Sequence, residues 1–384
     1  MRERRARERT NRIGDPVRGK LELYRPPTKT QSISVCHAYE RECRYTELAL
    51  VTSRNLSSST QFITYDAESE RASETIDVTI VNQPLRGIIP PLVTPLLDQD
   101  ELDHVGLERL IEYQIQGGVS GLFILGTTGE GPSLSYRLRY ELMEKTCEAV
   151  AGRIPVLVGI TDTSLVEAVV MAKHSLEVGA TSVVAAAPYY FPVKQSEACH
   201  FLLELADHSP LPLFVYNIPP CVGYGLTLET IEELATHQNI CGIKDSAGDM
   251  DAYKKILELR GVRPDWTFLM GPEQLTAESV LAGGDGAVTG GANLRPHLFV
   301  ASYQAAVRRD HGAIERLQVE IDQLASVYQM AGHGMSGYLR GLKSALAAAE
   351  LCSDQLAAPL QRAEEADRAK IAAFVHELAI NTRQ

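Results

Sequence analysis

The sequence predicts an α/β protein, a (β/α)8 TIM barrel followed by a C-terminal helical extension. Three observations predict it. From Gly87 onward, short apolar runs alternate with longer amphipathic stretches, so that a two-residue period gives way repeatedly to a helical one. Eight such units fit into about 220 residues, the arithmetic of a closed barrel. No Gly-x-Gly-x-x-Gly loop follows the first strand, which weighs against the alternative of a doubly wound open sheet.

Residues 1–84 precede the pattern and do not share it. They are rich in Arg, Glu, Ser and Thr, as in Arg2-Glu3-Arg4-Arg5 and Ser57-Ser58-Ser59-Thr60, with short apolar patches at Ile33–Val35 and Leu48–Val51. So little apolar surface does not offset the entropy of ordering a chain, and this N-terminal segment is expected to be disordered. A transit peptide would suit its Arg and Ser content but not its acidic residues. A start site placed too far upstream is a further explanation. No function is assigned to it.

The strands of the barrel domain, residues 85–295, are expected at Gly87–Val93, Gly121–Leu125, Pro155–Gly159, Ser182–Ala186, Pro212–Tyr216, Ile240–Ile243, Trp266–Met270 and Gly286–Val288. Between them Val105–Gln116, Ser135–Val150, Ser164–Val178 and Leu228–Ala235 carry apolar residues at i, i+3 and i+4, the stripe of a helix lying on a sheet. Asp103, Ser133, Asp162, Ser196 and Thr227 are the expected N-caps. Residues 296–384 hold the last barrel helix and the extension, with helices near Pro296–Arg309, Ala313–Tyr328, Gly334–Ala349 and Leu360–Leu378.

Composition narrows the function. A formal net charge of −12 argues against nucleic acid as a partner, because binding phosphates needs a basic surface. Seven scattered cysteines without a CxxC pair read as reduced thiols rather than a disulfide framework or a zinc site. No apolar run approaches the roughly 18 residues that span a bilayer, and the N-terminus lacks a secretory h-region. A soluble cytoplasmic protein without a membrane partner is the expectation.

A barrel's chemistry gathers at the C-terminal ends of its strands. The second strand runs into Gly126-Thr127-Thr128-Gly129-Glu130-Gly131, where glycines and hydroxyls could cradle a carboxylate, or simply make a turn. No Gly-Lys-Ser/Thr follows, so it is not a phosphate loop. The fourth and fifth end in Pro188-Tyr189-Tyr190-Phe191 and Tyr216-Asn217-Ile218-Pro219-Pro220. Aromatics there usually pack, yet a phenol can relay a proton when held beside a reacting oxygen. The sixth ends in Gly242-Ile243-Lys244-Asp245-Ser246. A lysine on a buried strand pays for desolvation with a lowered pKa, which is useful where a neutral amine must attack a ketone. Otherwise it would snorkel to the rim or pair with Asp245. The seventh and eighth strands end in Gly271-Pro272-Glu273-Gln274 and Val288-Thr289-Gly290-Gly291.

Taken together, Gly126-Thr127-Thr128-Gly129-Glu130, Tyr216-Asn217-Ile218-Pro219 and Gly242-Ile243-Lys244-Asp245 resemble the dihydrodipicolinate synthase / N-acetylneuraminate lyase family of class I pyruvate-dependent aldolases, over roughly three quarters of the chain. The resemblance implies that Lys244 forms a Schiff base with pyruvate or a longer 2-oxo acid. It implies that Tyr216 shuttles protons, that Thr127 links Tyr216 to Tyr190, often across a subunit interface, and that Gly126, Thr127 and Thr128 hold the carboxylate. A homotetramer or dimer follows from the same likeness. Neither metal nor diffusible cofactor is expected: the sequence has no His-Glu-x-x-His, EF-hand or Cys-His cluster, and Asp98-Gln99-Asp100-Glu101 reads as a solvated turn.

The synthases of this family usually carry an arginine two residues after the proline of the Tyr-Asn-x-Pro motif. Here Cys221 stands there, and a thiol does not replace a guanidinium fork. In the sialic acid lyase branch, polar residues at the positions of Ser246, Glu273 and Gln274 bind sugar hydroxyls; Gly271 and Val288 at the next strand ends join the expected substrate-binding set. The expected substrate is therefore a 2-keto-3-deoxy sugar acid or a sialic acid. A dihydrodipicolinate synthase ranks second and a sugar-acid dehydratase third. A non-catalytic barrel that binds a 2-oxo acid is the alternative of another class.

Overall fold

The computed structural model describes residues 84–381; the expected N-terminal disorder lies outside them. Within that span the order of elements is β1 (Gly87–Ile88), a hairpin of β2 (Leu96–Asp98) and β3 (Glu101–Leu102), α1 (His104–Gln116), β4 (Leu122–Ile124), α2 (Tyr136–Val150), β5 (Val156–Gly159), α3 (Leu165–Glu177), β6 (Ser182–Ala186), α4 (Gln195–His208) and β7 (Leu213–Asn217). There follow α5 (Pro219–Val222), α6 (Leu228–Leu234), β8 (Ile240–Asp245), α7 (Met250–Leu257), β9 (Thr267–Met270), α8 (Thr276–Leu281), β10 (Gly286–Ala287), α9 (Pro296–Val307), α10 (His311–Gln329), α11 (Gly334–Ala348) and α12 (Glu365–Asn381).

Eight parallel strands pair in the order β1-β10-β9-β8-β7-β6-β5-β4. The ring closes where Ser120 and Phe123 donate to the carbonyls of Ile88 and Pro90, and Leu92 donates to Phe123. The first strand is shorter than the sequence suggests for a simple reason. Pro90 and Pro91 have no N–H to give a ladder, so regular pairing stops at Ile88 although the chain runs on in register, with Pro91 bridging Phe123. Asn293 braces the join, accepting from the Val93 amide and donating to the Pro91 carbonyl.

Strand parity sorts the side chains. Leu157, Val184, Phe214 and Leu269 form one apolar cluster inside the barrel with Ile89 and Phe123. Their neighbours Val158, Val183, Val215 and Phe268 belong to the larger layer under the helices. Two helices start where expected, at caps Asp103 and Thr227. Three start elsewhere. Ser135 and Ser164 cap α2 and α3 through their side chains, while Asp162 instead accepts from the Ser164 amide and the Tyr136 hydroxyl. Ser196 lies inside α4, whose first turn closes when Glu197 accepts from the Lys194 amide. Asp98–Glu101 forms the tip of the β2–β3 hairpin, in keeping with a turn. Among the described residues no helix is long and apolar enough to cross a membrane.

Candidate active site

Parity places Lys244. Its neighbours Ile243 and Asp245 face the helices, so Lys244 points into the barrel, where it is 5% exposed. Asp245, on the opposite face, accepts from the Asn217 side chain at 2.6 Å and does not pair with the lysine. Tyr216 is the partner of Lys244 in register on the adjacent strand, and the Lys244 Nζ sits 3.9 Å from the centre of its ring. Phe123 covers the other side at 4.7 Å. Burial in this aromatic clamp pulls the amine down from its ordinary value to about 7. A cation over a π face gains some attraction, but here desolvation wins.

Tyr216 is itself buried, and burial pushes its phenol up to about 12. The hydroxyls of Thr127 and Ser246 lie beside it and oppose that shift. Gly271 makes this possible. A Cβ there would collide with the Ser246 hydroxyl, so the glycine leaves room for a donor on the pocket wall.

The Thr127–Thr128 loop is held tightly. Leu125 and Glu130 bound it, both with positive φ, 58° and 56°, a left-handed conformation costing non-glycine residues about 1 kcal/mol or more. The Glu130 amide closes a turn on the Thr127 carbonyl at 3.1 Å. Gly126 is buried beneath the loop against Phe123, under the pocket wall rather than on it.

Thr127, Thr128, Tyr216, Lys244, Ser246, Gly271, Glu273, Gln274 and Val288 all line one pocket of about 280 Å³. Nine of the eleven residues singled out in the sequence thus converge, from five strand ends. Tyr190 does not. It is 84% exposed on the loop after β6 and away from Lys244 of its own chain. Its neighbour Tyr189 is half-buried and also off the pocket.

The far wall is new. Tyr328 from α10 and Met335 and Tyr338 from α11 complete it. The Tyr338 hydroxyl shares a 3.2 Å hydrogen bond with the Thr128 hydroxyl, and the two phenol rings meet edge-on at 4.8 Å. Glu273 faces them. Its Oε2 accepts from the Gly291 amide at 2.7 Å. Its Oε1 lies near the Tyr328 hydroxyl without good alignment, so that both atoms lack a well-formed partner. Burial raises this carboxyl to about 7. Cys221, exposed at the start of α5, sets its thiol beside the Thr127 hydroxyl. Among the described residues Lys244 is the only cationic side chain lining the pocket.

The comparisons with known proteins agree with this geometry. The sequence model of the dihydrodipicolinate synthetase family matches residues 84–378. A protein of Escherichia coli K12 described as a probable 2-dehydro-3-deoxy-D-pentonate aldolase is 34% identical, across 64% of this chain and 82% of its own. A dihydrodipicolinate synthase structure from Bacteroides thetaiotaomicron is 46% identical, with a TM-score of 0.74, covering 77% of this chain and 99% of that one. YagE of E. coli K12, solved with pyruvate, is 29% identical over 77% of this chain and 98% of its own, with a TM-score of 0.70. The chain belongs to the dihydrodipicolinate synthetase family, whose members are lyases of the class I aldolase type.

Proposed function

We propose that the protein is a Schiff-base lyase that cleaves or forms a C–C bond between pyruvate and an aldehyde, acting on a 2-keto-3-deoxy sugar acid or a sialic acid. Lys244 is the nucleophile. With its pKa near 7, roughly half of the amine is neutral at that pH. Its Nζ bonds to C2 of the 2-oxo acid, and the carbonyl oxygen leaves as water. The resulting iminium accepts the electron pair of the breaking C3–C4 bond, which gives an enamine in place of a free carbanion. Tyr216, over the amine, carries the protons, with Thr127 and Ser246 orienting its hydroxyl. Thr127 and Thr128 hold the carboxylate through fixed donors. No step draws on a metal or a cofactor.

The observation that carries the choice of substrate is the far wall. A carboxyl group, two phenols and the Gln274 amide line it, and among the described residues it holds no cation. A second carboxylate would meet Glu273 there, whereas sugar hydroxyls would find donors and acceptors that otherwise go unpaired. Cys221, where synthases carry arginine, adds nothing to bind an anion. The dihydrodipicolinate synthase reading is second, favoured by the 46% identity to the B. thetaiotaomicron protein. It requires Ser246, Gln274 or backbone amides to receive the distal carboxylate.

Tyr190 belongs to a second copy's site in this reading. It stands exposed with Phe191 beside a surface groove formed in part by Leu165, Val193 and Phe201, a patch suited to burial against another chain. Thr127 then links Tyr216 to the phenol offered by a partner subunit, in a dimer or a tetramer.

The test is reduction with borohydride in the presence of pyruvate, followed by peptide mass mapping. A pyruvyl adduct on Lys244 is expected, and none in Lys244→Ala. An adduct elsewhere, or none, ends the reading. Pyruvate release from 2-keto-3-deoxy sugar acids, measured against condensation of pyruvate with aspartate semialdehyde, then decides between the two substrates.

A further inference from the structure

We propose that Lys343 is a positioning residue for the carboxylate-binding loop: from the C-terminal helix α11 it holds Glu130, and through Glu130 it fixes Thr127 and Thr128 on the pocket wall. The Lys343 Nζ lies 2.6 Å from Glu130 Oε1, with the two side chains 0% and 1% exposed. No other ion pair among the described residues is so completely buried; Arg139–Asp162, the next, is looser at 3.6 Å.

A pair like this is a poor device for stability alone. Taking two charges out of water costs several kcal/mol, and apolar side chains of equal volume often do as well. What the pair supplies is direction. Each partner is also held by backbone from the segment after α11: Lys343 donates to the Gln355 carbonyl at 2.6 Å, and Glu130 Oε2 accepts from the Ala357 amide at 2.8 Å. Glu130 is thus held from the C-terminal extension on both oxygens, Oε2 by a hydrogen bond and Oε1 by the charge of Lys343 alone, without an aligned hydrogen bond.

The backbone there needs pinning. Glu130 has a φ of 56°, which a glutamate adopts only under constraint. Gly131 behind it leaves no room for a Cβ beside the Leu125 carbonyl, so the loop cannot relax by sliding. On the other side Thr94 Oγ1 clamps the Gly129 carbonyl at 2.6 Å. Two residues upstream of Glu130, the Thr128 hydroxyl already meets Tyr338 of the same α11. One helix therefore sets both ends of the segment Thr128–Glu130, and its register decides where the threonine donors stand relative to Lys244.

Lys343→Met alone leaves a buried carboxylate without a cation and could unfold the chain, so the main variant is the double Glu130→Gln/Lys343→Met. It removes both charges at similar volume. Leu202→Ala, a buried position on α4, which packs against α3 and α6, serves as the control that weakens the fold away from α11. Two readouts are taken on the full chain. The pyruvate concentration for half-maximal borohydride trapping is expected to rise about tenfold in the double variant, the scale for binding groups displaced by a fraction of an ångström, while the maximal trapping rate stays within about twofold. Amide hydrogen exchange across residues 125–134 is expected to quicken more than in helices distant from the loop. The control should lower the melting temperature and change neither. A double variant whose loop exchange matches the wild type overturns the proposal, whether or not pyruvate is trapped. So does an unchanged half-saturation where trapping occurs. Absence of an adduct in the wild type bears on the Schiff-base chemistry and not on the pair, because exchange is read without substrate.

Discussion

The two walls of the pocket are built from different materials. Lys244 and Tyr216 stand on adjacent strands in fixed register, at the core of a ladder that cannot slip without turning every side chain over. Glu273, Tyr328 and Tyr338 come from a loop and two helices of the C-terminal extension. On the proposed function the strand wall holds the reacting groups, their spacing set by sheet geometry. The helical wall lies outside the eight-stranded ladder. The difference teaches that, on the proposed function, reaction and specificity fall to separate parts of this fold, the first set by strand register and the second by side chains from loop and helix.

The sharpest way to break that division is Lys244→Met. Loss of the nucleophile should lower turnover by at least about four orders of magnitude and abolish borohydride trapping. The same change should stabilise the fold. A lysine at about 7 when folded binds fewer protons than in the unfolded chain between pH 7 and its ordinary pKa. Its penalty is therefore full below pH 7 and fades as the pH rises above it. Unfolding in urea below pH 7 should show a gain of up to roughly 5 kcal/mol for Lys244→Met, shrinking toward pH 10. In the wild type, trapping should fall off on the acid side with a midpoint near 7. An acid limb elsewhere would mean that another group limits the amine.

Tyr216→Phe keeps the ring over the amine and removes the hydroxyl. On the proton-shuttle reading it should lower kcat by about a hundredfold or more, with the adduct still forming on long incubation. A smaller loss, within about fivefold, would assign the proton transfers to water or to Ser246.

Glu273→Gln tests the other wall. It should leave pyruvate trapping within about twofold of wild type, yet lower kcat/KM for sugar-acid cleavage by about ten- to a hundredfold. Equal losses for both would place Glu273 in the chemistry and dissolve the division between the walls. Stability gives a second reading. A carboxyl raised to about 7 holds its proton in the fold when the unfolded chain has lost it, so stability falls as pH rises from 4.5 to 7. Above pH 7 the glutamine variant should be more stable by up to roughly 3 kcal/mol.

What could be read from the sequence follows the same line. The strand wall was legible because motif and strand end coincide and Ile243 beside Lys244 feeds the outer layer: Thr127, Tyr216 and Gly271 sit at comparable depths on other strands, with Ser246 two residues beyond Lys244 on its own. Tyr328 and Tyr338 were not legible. They come from helices far downstream, within amphipathic patterns indistinguishable from packing. One local signal was available. Gly337 and Gly341 lie four residues apart, and a Cβ on Gly341 would press on the α10 backbone at Val327 and Tyr328. Such a pair marks a close helix contact and brings the neighbouring Tyr338 against Tyr328. Helix starts at Ser135 and Ser164 in place of Ser133 and Asp162 differ for a plainer reason, since several cap-forming residues crowd each loop and only tertiary contacts choose between them.

The smallest expected effect lies where the walls touch. Tyr338→Phe removes one hydroxyl, 3.2 Å from that of Thr128, and leaves the ring in place against Tyr328. One neutral hydrogen bond contributes about 1 kcal/mol, so half-saturation by pyruvate should rise by about fivefold with kcat unchanged. The direction matters more than the size. If Thr128 is oriented from α11, its donor is freed to turn away from the carboxylate, and affinity falls. If Tyr338 instead competes with substrate for the Thr128 hydroxyl, its removal should strengthen pyruvate binding. A titration of trapping against pyruvate separates the two by sign. A fall in affinity would make the helical wall part of the carboxylate site as well as of the sugar site. A gain would confine α11 to the far end of the pocket and leave carboxylate binding to the strand loop.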